Sequence, residues 1–193
     1  MGRIIGIFKI FFDYCIYLCN RKTYAKPLCK IHRQRRQMGG ASIMIWGMIL
    51  PNGLITIKEI NGTLNSEKYI DLLHNFAVPY MKLNCAPNFN FIQDNCSSHV
   101  SKKSKQFLEA QSFRTIKWPV KSPDINIIEN VWKMMSDIVY EGNQPKNKEE
   151  LREKIHNSVF ILNSERNKTL LDFYKSFRQR LTKVLLMRGN LIS

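Results

Sequence analysis

Two stretches of the chain decide its fold, FNFIQDNCSSH at residues 89–99 and KSPDINIIENVW at residues 121–132. The first is an apolar run that ends on Asp94, which is typical of a buried strand opening onto a loop. The second predicts a helix that begins at Pro123, with an apolar stripe that carries Glu129 against a sheet. The two acids have 34 residues between them. Two carboxylates brought together in this way predict a divalent-metal site.

The charge of the chain is strongly positive and unevenly distributed. Its 193 residues carry a net charge of +15, and residues 1–58 contribute +9 of it, from ten Lys or Arg and one acid. A field of this sign attracts polyanions, most often nucleic acid. A soluble basic protein without a polyanionic ligand is the alternative that charge alone leaves open.

Length and composition limit the class of protein. The chain is long enough for one domain with a substantial core, and 44% hydrophobic residues indicate a globular fold. No uninterrupted apolar stretch reaches the roughly 18 residues of a membrane-spanning helix, so we expect no membrane partner. Five cysteines are an odd number without the density of a disulfide scaffold, which favours reduced thiols in an intracellular protein.

Apolar segments before residue 61 predict three strands. They cover residues 4–18, 42–49 and 54–60, and the last two form a hairpin around the turn at 51–53. Asp13 lies in the first strand and is the only acid among the first 58 residues. An Asp in an apolar strand costs free energy unless it is paired or binds a metal. A position at the strand end, or a pairing with Lys, is the alternative.

The remainder of the pattern alternates helices with strands. A helix capped by Ser66 is bent or ended by Pro79, a strand ends before Asp94, and a helix over 101–110 precedes a short strand at 113–118. Two further helices are predicted over 147–162 and 165–187. This order predicts an α/β protein, with a mixed sheet and helices on its faces.

Five motifs, in this order along the chain, resemble the catalytic domain of mariner-superfamily DDE transposases. They are GGASIMIWGMI at 39–49, INGTLNSEKYIDLL at 60–73, QDNCSSH at 93–99, WPVKSPDINIIENVW at 118–132 and QPKNKEELREKI at 144–155. The resemblance implies a ribonuclease-H-like fold, a mixed five-stranded sheet flanked by helices, with extra C-terminal helices. We expect the catalytic core at residues 1–142 and a helical extension of the same domain at 143–193. Members of this family carry helix-turn-helix DNA-binding domains before the core, and we expect this chain to be a truncated copy without them.

The resemblance also implies a site and a reaction. Asp13, Asp94 and Glu129 match the Asp-Asp-Glu triad that holds two Mg²⁺ or Mn²⁺ ions. Two such ions about 4 Å apart stabilise the attacking and leaving oxygens of an in-line displacement at phosphorus. The implied function is metal-dependent DNA cleavage and strand transfer in transposition.

Basic residues on two segments are the expected contacts to double-stranded DNA. Together with His99, which lies five residues after Asp94, they are Arg21, Lys22, Lys26, Lys30, Arg33, Arg35, Arg36, Lys102 and Lys103. The resemblance implies a nuclear protein and allows a homodimer within a DNA complex.

A second function stays open. Tyr14 stands where family members have Glu, directly after the first acid. The alternative is therefore a transposase-derived remnant that binds DNA and has no catalytic activity.

Overall fold

A computed structural model describes residues 3–12, 42–116 and 126–186 of the chain. The strands are β1 Arg3–Phe12, β2 Ser42–Ile49, β3 Ile55–Ile60, β4 Asn90–Gln93 and β5 Arg114–Ile116. The helices are α1 Ser66–Leu72, α2 Val78–Asn84, α3 Ser97–Val100, α4 Lys102–Glu109, α5 Ile128–Val139, α6 Lys148–Ser164 and α7 Asn167–Leu186, and a π-helical turn, Leu73–Ala77, joins α1 to α2.

The five strands form one mixed sheet in the order β3-β2-β1-β4-β5. The pairs β1–β2 and β4–β5 are parallel, whereas β2–β3 and β1–β4 are antiparallel. The predicted α/β class, with a mixed five-stranded sheet and helices on its faces, is therefore confirmed.

The alternation of side chains along β2 and β4 divides the core into two layers. Ile45 of β2 and Ile92 of β4 pack with α5, α6 and α7 on one face of the sheet. Trp46 and Phe91, their neighbours in sequence, pack with α1, α2 and α4 on the other face. Successive residues of a strand point to opposite faces, so each strand serves both layers. We call these the α5 face and the α1 face.

The direction of β1 bears on the first acid of the expected triad. β1 runs antiparallel to β4, with Lys9 opposite Gln93 and Phe12 opposite Asn90. At about 3.3 Å per residue, Phe12 lies roughly 10 Å along the sheet from Gln93, the last residue before Asp94. Acids that follow two strand ends meet most directly when the strands are parallel. The residues from Asp13 to Leu18, predicted as a continuation of β1, lie outside the described residues, and so does Tyr14.

The predicted helix from residue 66 is confirmed, with one correction. The N-cap is Asn65, not Ser66, because Asn65 Oδ1 accepts a hydrogen bond from the backbone N–H of Lys68 at 2.9 Å. Pro79 occupies one of the first two positions of α2, so the regular first part of the helix ends before it, at Leu72. A proline lacks the N–H donor and crowds the carbonyl four residues earlier, and the π-helical turn before α2 accommodates this misfit.

Helix α5 begins later than its sequence indicates. Its first residue is Ile128, and Asn126 and Ile127 before it are described as non-helical, so the predicted start at Pro123 is wrong. The apolar stripe is confirmed at Ile128, Met135 and Val139, all buried.

A glycine in β2 sets how closely α5 approaches the sheet. A Cβ atom on Gly47 would lie 3.0 Å from Cη2 of Trp132, closer than almost all real contacts. Gly47 shares the α5 face with Ile45 and Ile49, so the indole of Trp132 lies where a strand side chain would otherwise stand. Trp132 is only partly buried, whereas Trp46 is fully buried.

Helices α6 and α7 complete the α5 face, close to the predicted bounds. Asn147 caps α6, its Oδ1 accepting from the N–H of Glu150 at 2.8 Å. The Asn163 side chain of α6 donates to the carbonyl of Ile55 and accepts from its N–H, which satisfies backbone groups at the start of the edge strand β3. Among the described residues, no helix is long and apolar enough to cross a bilayer.

Candidate active site

The loop after β4 carries Asp94, and two donors bind one oxygen of its carboxylate. His99 Nδ1 lies 2.6 Å from Asp94 Oδ1, and the backbone N–H of Cys96 donates to the same atom at 3.1 Å. An ionised carboxylate only accepts hydrogen bonds, so the ring proton of His99 belongs on Nδ1 in this contact. Asp94 itself is half-buried.

Buried side chains from β4 and α1 support this loop. Gln93 Nε2 donates to the carbonyl of His99 at 3.0 Å, and Tyr69 Oη donates to Gln93 Oε1 at 2.6 Å. The rings of Tyr69 and His99 lie 4.3 Å apart, inclined at 37°. Tyr69 and His99 are 0% exposed and Gln93 is 8% exposed. Partnered polar groups at this depth resist rearrangement, because any lost hydrogen bond leaves a buried group without water.

Glu129 lies in the first turn of α5, and the prediction that this helix carries it away from water is corrected. The side chain is exposed, because Ile128 and Val131 take the inward positions. Protein atoms nevertheless surround the carboxyl group closely enough that desolvation raises its pKa, and the negative charge of Asp94 raises the pKa further. A helix N-terminus favours a negative side chain. Desolvation and the neighbouring charge outweigh that effect here.

The fold therefore brings Asp94 and Glu129 within electrostatic reach of each other. Continuing the alternation of β4 past Gln93 places Asp94 on the α5 face, against which the helix of Glu129 packs. Residues 3–12, 42–116 and 126–186 contain no group of three or more acids, cysteines or histidines arranged to hold a metal. Two of the three expected acids meet, and Asp13 lies outside the described residues.

Comparison with known proteins supplies the family. A model of the DDE superfamily endonucleases matches residues 20–152, more than half of the chain. The chain belongs to this family. The predicted resemblance to mariner-superfamily transposases is thereby confirmed.

Relatives of this DDE endonuclease domain are transposases. It is 28% identical over 160 residues to the Tc3 transposase of Caenorhabditis elegans, a match that covers 82% of this chain and 48% of the relative. The chain thus spans about half the length of that relative. Among solved structures, the catalytic domain of Mos1 mariner transposase has a TM-score of 0.68 at 14% identity, covering 96% of this chain and 84% of that one. A Mos1 paired-end complex with Mn has a TM-score of 0.67 at 15% identity, covering 96% and 56%. These structures show the fold, and the expected ribonuclease-H-like architecture is confirmed.

The expected DNA-contacting residues of this DDE domain have different surroundings. Lys102 and Lys103 are exposed on α4, and Lys103 Nζ lies 2.7 Å from Glu67 Oε1 on α1. His99, which is also among the expected contacts, has a fully buried ring that faces Asp94 and Tyr69. Seven expected contacts lie outside the described residues, Arg21, Lys22, Lys26, Lys30, Arg33, Arg35 and Arg36.

Sequence reasoning missed four residues of this site. Gln93 ends a predicted strand and Tyr69 lies in a predicted helix, but the sequence pattern assigns neither side chain to the site. Gly47 was assigned to a strand, although a glycine inside a strand often marks a close approach. Asn126 was not singled out. Its side-chain Oδ1 is buried, three residues before Glu129, and accepts no hydrogen bond from any described residue.

Proposed function

We propose that this chain is the catalytic core of a metal-dependent DNA nuclease and strand transferase that acts in transposition. One observation carries the proposal. Asp94 and Glu129, with 34 residues between them in sequence, lie close enough that the charge of the first raises the pKa of the second. An evolved fold seldom places two carboxylates in mutual repulsion unless the site has a use for them.

A divalent cation fits this pair of acids. Carboxylate oxygens are hard ligands of the kind that Mg²⁺ and Mn²⁺ prefer, and a cation would relieve the repulsion between Asp94 and Glu129. Asp13 is the proposed third ligand, and the expected number of ions is two. Bound there, the metal would supply Lewis-acid stabilisation of charge on phosphate oxygens. The Mos1 paired-end complex with Mn supports this choice of ion.

Double-stranded DNA is the proposed substrate. The net charge of +15 favours a polyanion, and Lys102 and Lys103 offer exposed cations on α4, which follows the Asp94 loop in the chain. A paired-end complex is one of the structural neighbours, which supports a homodimer on DNA as a further proposal. A DNA substrate of this kind makes a nuclear location the natural proposal.

A plasmid-nicking assay tests the activity. The wild-type chain should nick supercoiled plasmid with Mg²⁺ or Mn²⁺ and not with a chelator. Asp94→Asn and Glu129→Gln should lower the rate by at least about a hundredfold, the upper end of the effect seen when outer-shell partners of a metal are removed. Asp137→Asn is the matched control, because Asp137 is exposed on the same helix as Glu129. Nicking by Asp94→Asn at the wild-type rate would exclude the proposal.

A DNA-binding protein without activity is the second candidate. The observation that favours it is the direction of β1, which runs antiparallel to β4. It predicts salt-sensitive DNA binding that Glu129→Gln leaves unchanged, and no nicking with either metal. Binding of equal strength at about 50 and 500 mM salt would argue against this candidate, since backbone binding weakens steeply with salt.

A further inference from the structure

The inference concerns the loop that presents Asp94. A carboxylate on a loop can rotate about its side-chain bonds, and a metal ligand needs one orientation. Here His99 Nδ1 and the N–H of Cys96 converge on the same oxygen, Asp94 Oδ1, at 2.6 and 3.1 Å. Two donors on one oxygen determine the rotation of the group and the direction of its other oxygen. A charge-assisted bond of this length is among the stronger hydrogen bonds in proteins.

His99 is in turn held in place through both its ring and its backbone. Tyr69 packs against the ring at 4.3 Å, and Gln93 donates to the backbone carbonyl of His99 at 3.0 Å. The Tyr69 hydroxyl donates to Gln93 at 2.6 Å. The carbonyl of Ser98, next to it in the chain, accepts from the Ser104 hydroxyl of α4 at 2.6 Å. The ring is completely buried. The position of His99 is therefore set by α1, β4 and α4 together.

We propose that His99, backed by Tyr69 and Gln93, is a positioning residue that orients the Asp94 carboxylate for metal binding. This inference rests on the proposed function, because the orientation of Asp94 matters only if its carboxylate binds a metal. None of the three side chains binds the metal. They act through Asp94, much as the partners behind metal ligands do in other proteins, where their loss typically lowers metal affinity 10- to 100-fold.

Replacing His99, Gln93 or Tyr69 should lower metal affinity by different amounts, because the three residues lie at different distances from Asp94 along the chain of contacts. His99 touches the carboxylate directly, so its loss should matter most. Tyr69 acts at one remove, through its hydrogen bond to Gln93 and its contact with the imidazole. Removing only the Tyr69 hydroxyl leaves the ring contact in place. Its effect on metal affinity should therefore be roughly two- to tenfold, the worth of one ordinary hydrogen bond.

Mn²⁺ binding to the full chain, followed through the electron paramagnetic resonance signal of free Mn²⁺, measures these effects without relying on activity. His99→Leu should raise the Kd about 10- to 100-fold. His99→Asn should recover most of the affinity, because the Asn amide can donate from nearly the position of Nδ1. Tyr69→Phe should fall between the wild type and His99→Leu. Circular dichroism and thermal unfolding of each variant show whether it is folded.

Nitrogen-15 spectra of the His99 ring test the contact in the wild-type protein without metal. The proton should reside on Nδ1, and Asp94→Asn should shift the Nδ1 resonance. A proton on Nε2, or a folded His99→Leu variant that binds Mn²⁺ like the wild type, overturns the inference and leaves the proposed function standing. If wild type and Asp94→Asn bind Mn²⁺ equally, the proposed function fails, and this inference fails with it.

Discussion

The two acids of the candidate site are held in opposite ways. Asp94 accepts two hydrogen bonds on one oxygen and stands before a buried network that reaches to α1. Glu129 is exposed at the start of α5, and its charged form is disfavoured by desolvation and by Asp94. Asp94 is positioned by hydrogen bonds from His99 and Cys96, whereas Glu129 is positioned by its helix. The difference indicates that ionised Glu129 carries an unfavourable electrostatic free energy, which a bound cation would lower.

The position of Glu129 depends on how α5 packs on the sheet. Trp132, one turn after Glu129, lies over Gly47 of β2, and Ile128 and Met135 are buried on either side. A helix held by apolar packing can shift by tenths of an ångström more easily than a carboxylate gripped by two donors. Changes on the two sides should therefore have separable consequences.

The largest expected effect on metal affinity comes from replacing Asp13, the proposed third ligand beside Asp94 and Glu129. If Asp13 is the third ligand, Asp13→Asn should raise the Mn²⁺ Kd at least about a hundredfold, as Asp94→Asn should. Asp172→Asn, an exposed acid on α7, is the matched control. Titration with Mn²⁺ decides the matter. An unchanged Kd for Asp13→Asn would remove Asp13 from the site and favour the inactive DNA-binding protein.

A methyl group added at Gly47 should displace α5, which carries Glu129, and leave the hydrogen bonds around Asp94 unchanged. Gly47→Ala places a Cβ 3.0 Å from Trp132, so we expect a loss of about 1–3 kcal/mol in the free energy of unfolding, the usual cost of overpacking. Mn²⁺ affinity should fall as α5 shifts, while the His99 nitrogen-15 signals stay at their wild-type positions. Urea denaturation and the same Mn²⁺ titration measure both effects.

The shorter ring of Trp132→Phe provides the control for that prediction. In this background Gly47→Ala should cost less, since the contacting atom Cη2 is gone. Equal costs in the two backgrounds would show that Trp132 does not limit the approach of α5.

The raised pKa of Glu129 predicts a smaller, pH-dependent effect on stability. The pKa of the Glu129 carboxyl is higher in the folded protein than in the unfolded chain. The protein therefore loses stability as pH rises from the unfolded pKa through the folded pKa, and the full loss persists above both values. Glu129→Gln removes this loss. Without metal, the variant should therefore unfold at a higher temperature than the wild type at pH 7, and the difference should shrink towards pH 4.

Mg²⁺ should reverse the order of these two proteins. The wild type should gain stability from a bound ion, and the variant should gain less because it would lack one of the proposed ligands. Scanning calorimetry at both pH values, with and without Mg²⁺, measures this reversal. A variant less stable than the wild type at pH 7 without metal would contradict the repulsion inferred between Asp94 and Glu129.

The smallest expected effect is on DNA binding by α4. Lys102→Ala should reduce the slope of log affinity against log salt by about 1, the share of a single phosphate contact. Lys103→Ala should change it less, because Glu67 already lies beside that ammonium group. Fluorescence anisotropy at several salt concentrations measures both slopes. Lys82, exposed on α2, provides the control substitution Lys82→Ala, and equal slopes for all three variants would exclude α4 as a DNA contact.

Local pattern alone determined much of this protein. Alternating and periodic apolar residues located β2, β3, α6 and α7 nearly to the residue, because burial repeats every two residues in a strand and every 3.6 in a helix. The linked motifs identified the family and the pair Asp94 and Glu129. The sequence predicts the start of α5 less exactly. Pro123 is typical of the first position of a helix, but α5 begins at Ile128.

Only the tertiary structure decided which side chains stand behind the two acids. Tyr69 and Gln93 are 24 residues apart, and nothing in the apolar stripe of α1 indicates that the Tyr69 hydroxyl reaches the end of β4. The approach of Trp132 to Gly47 and the direction of β1 likewise depend on how distant segments pack. A sequence pattern records whether a residue faces the core. Which partner it meets there follows from the packing of the whole chain.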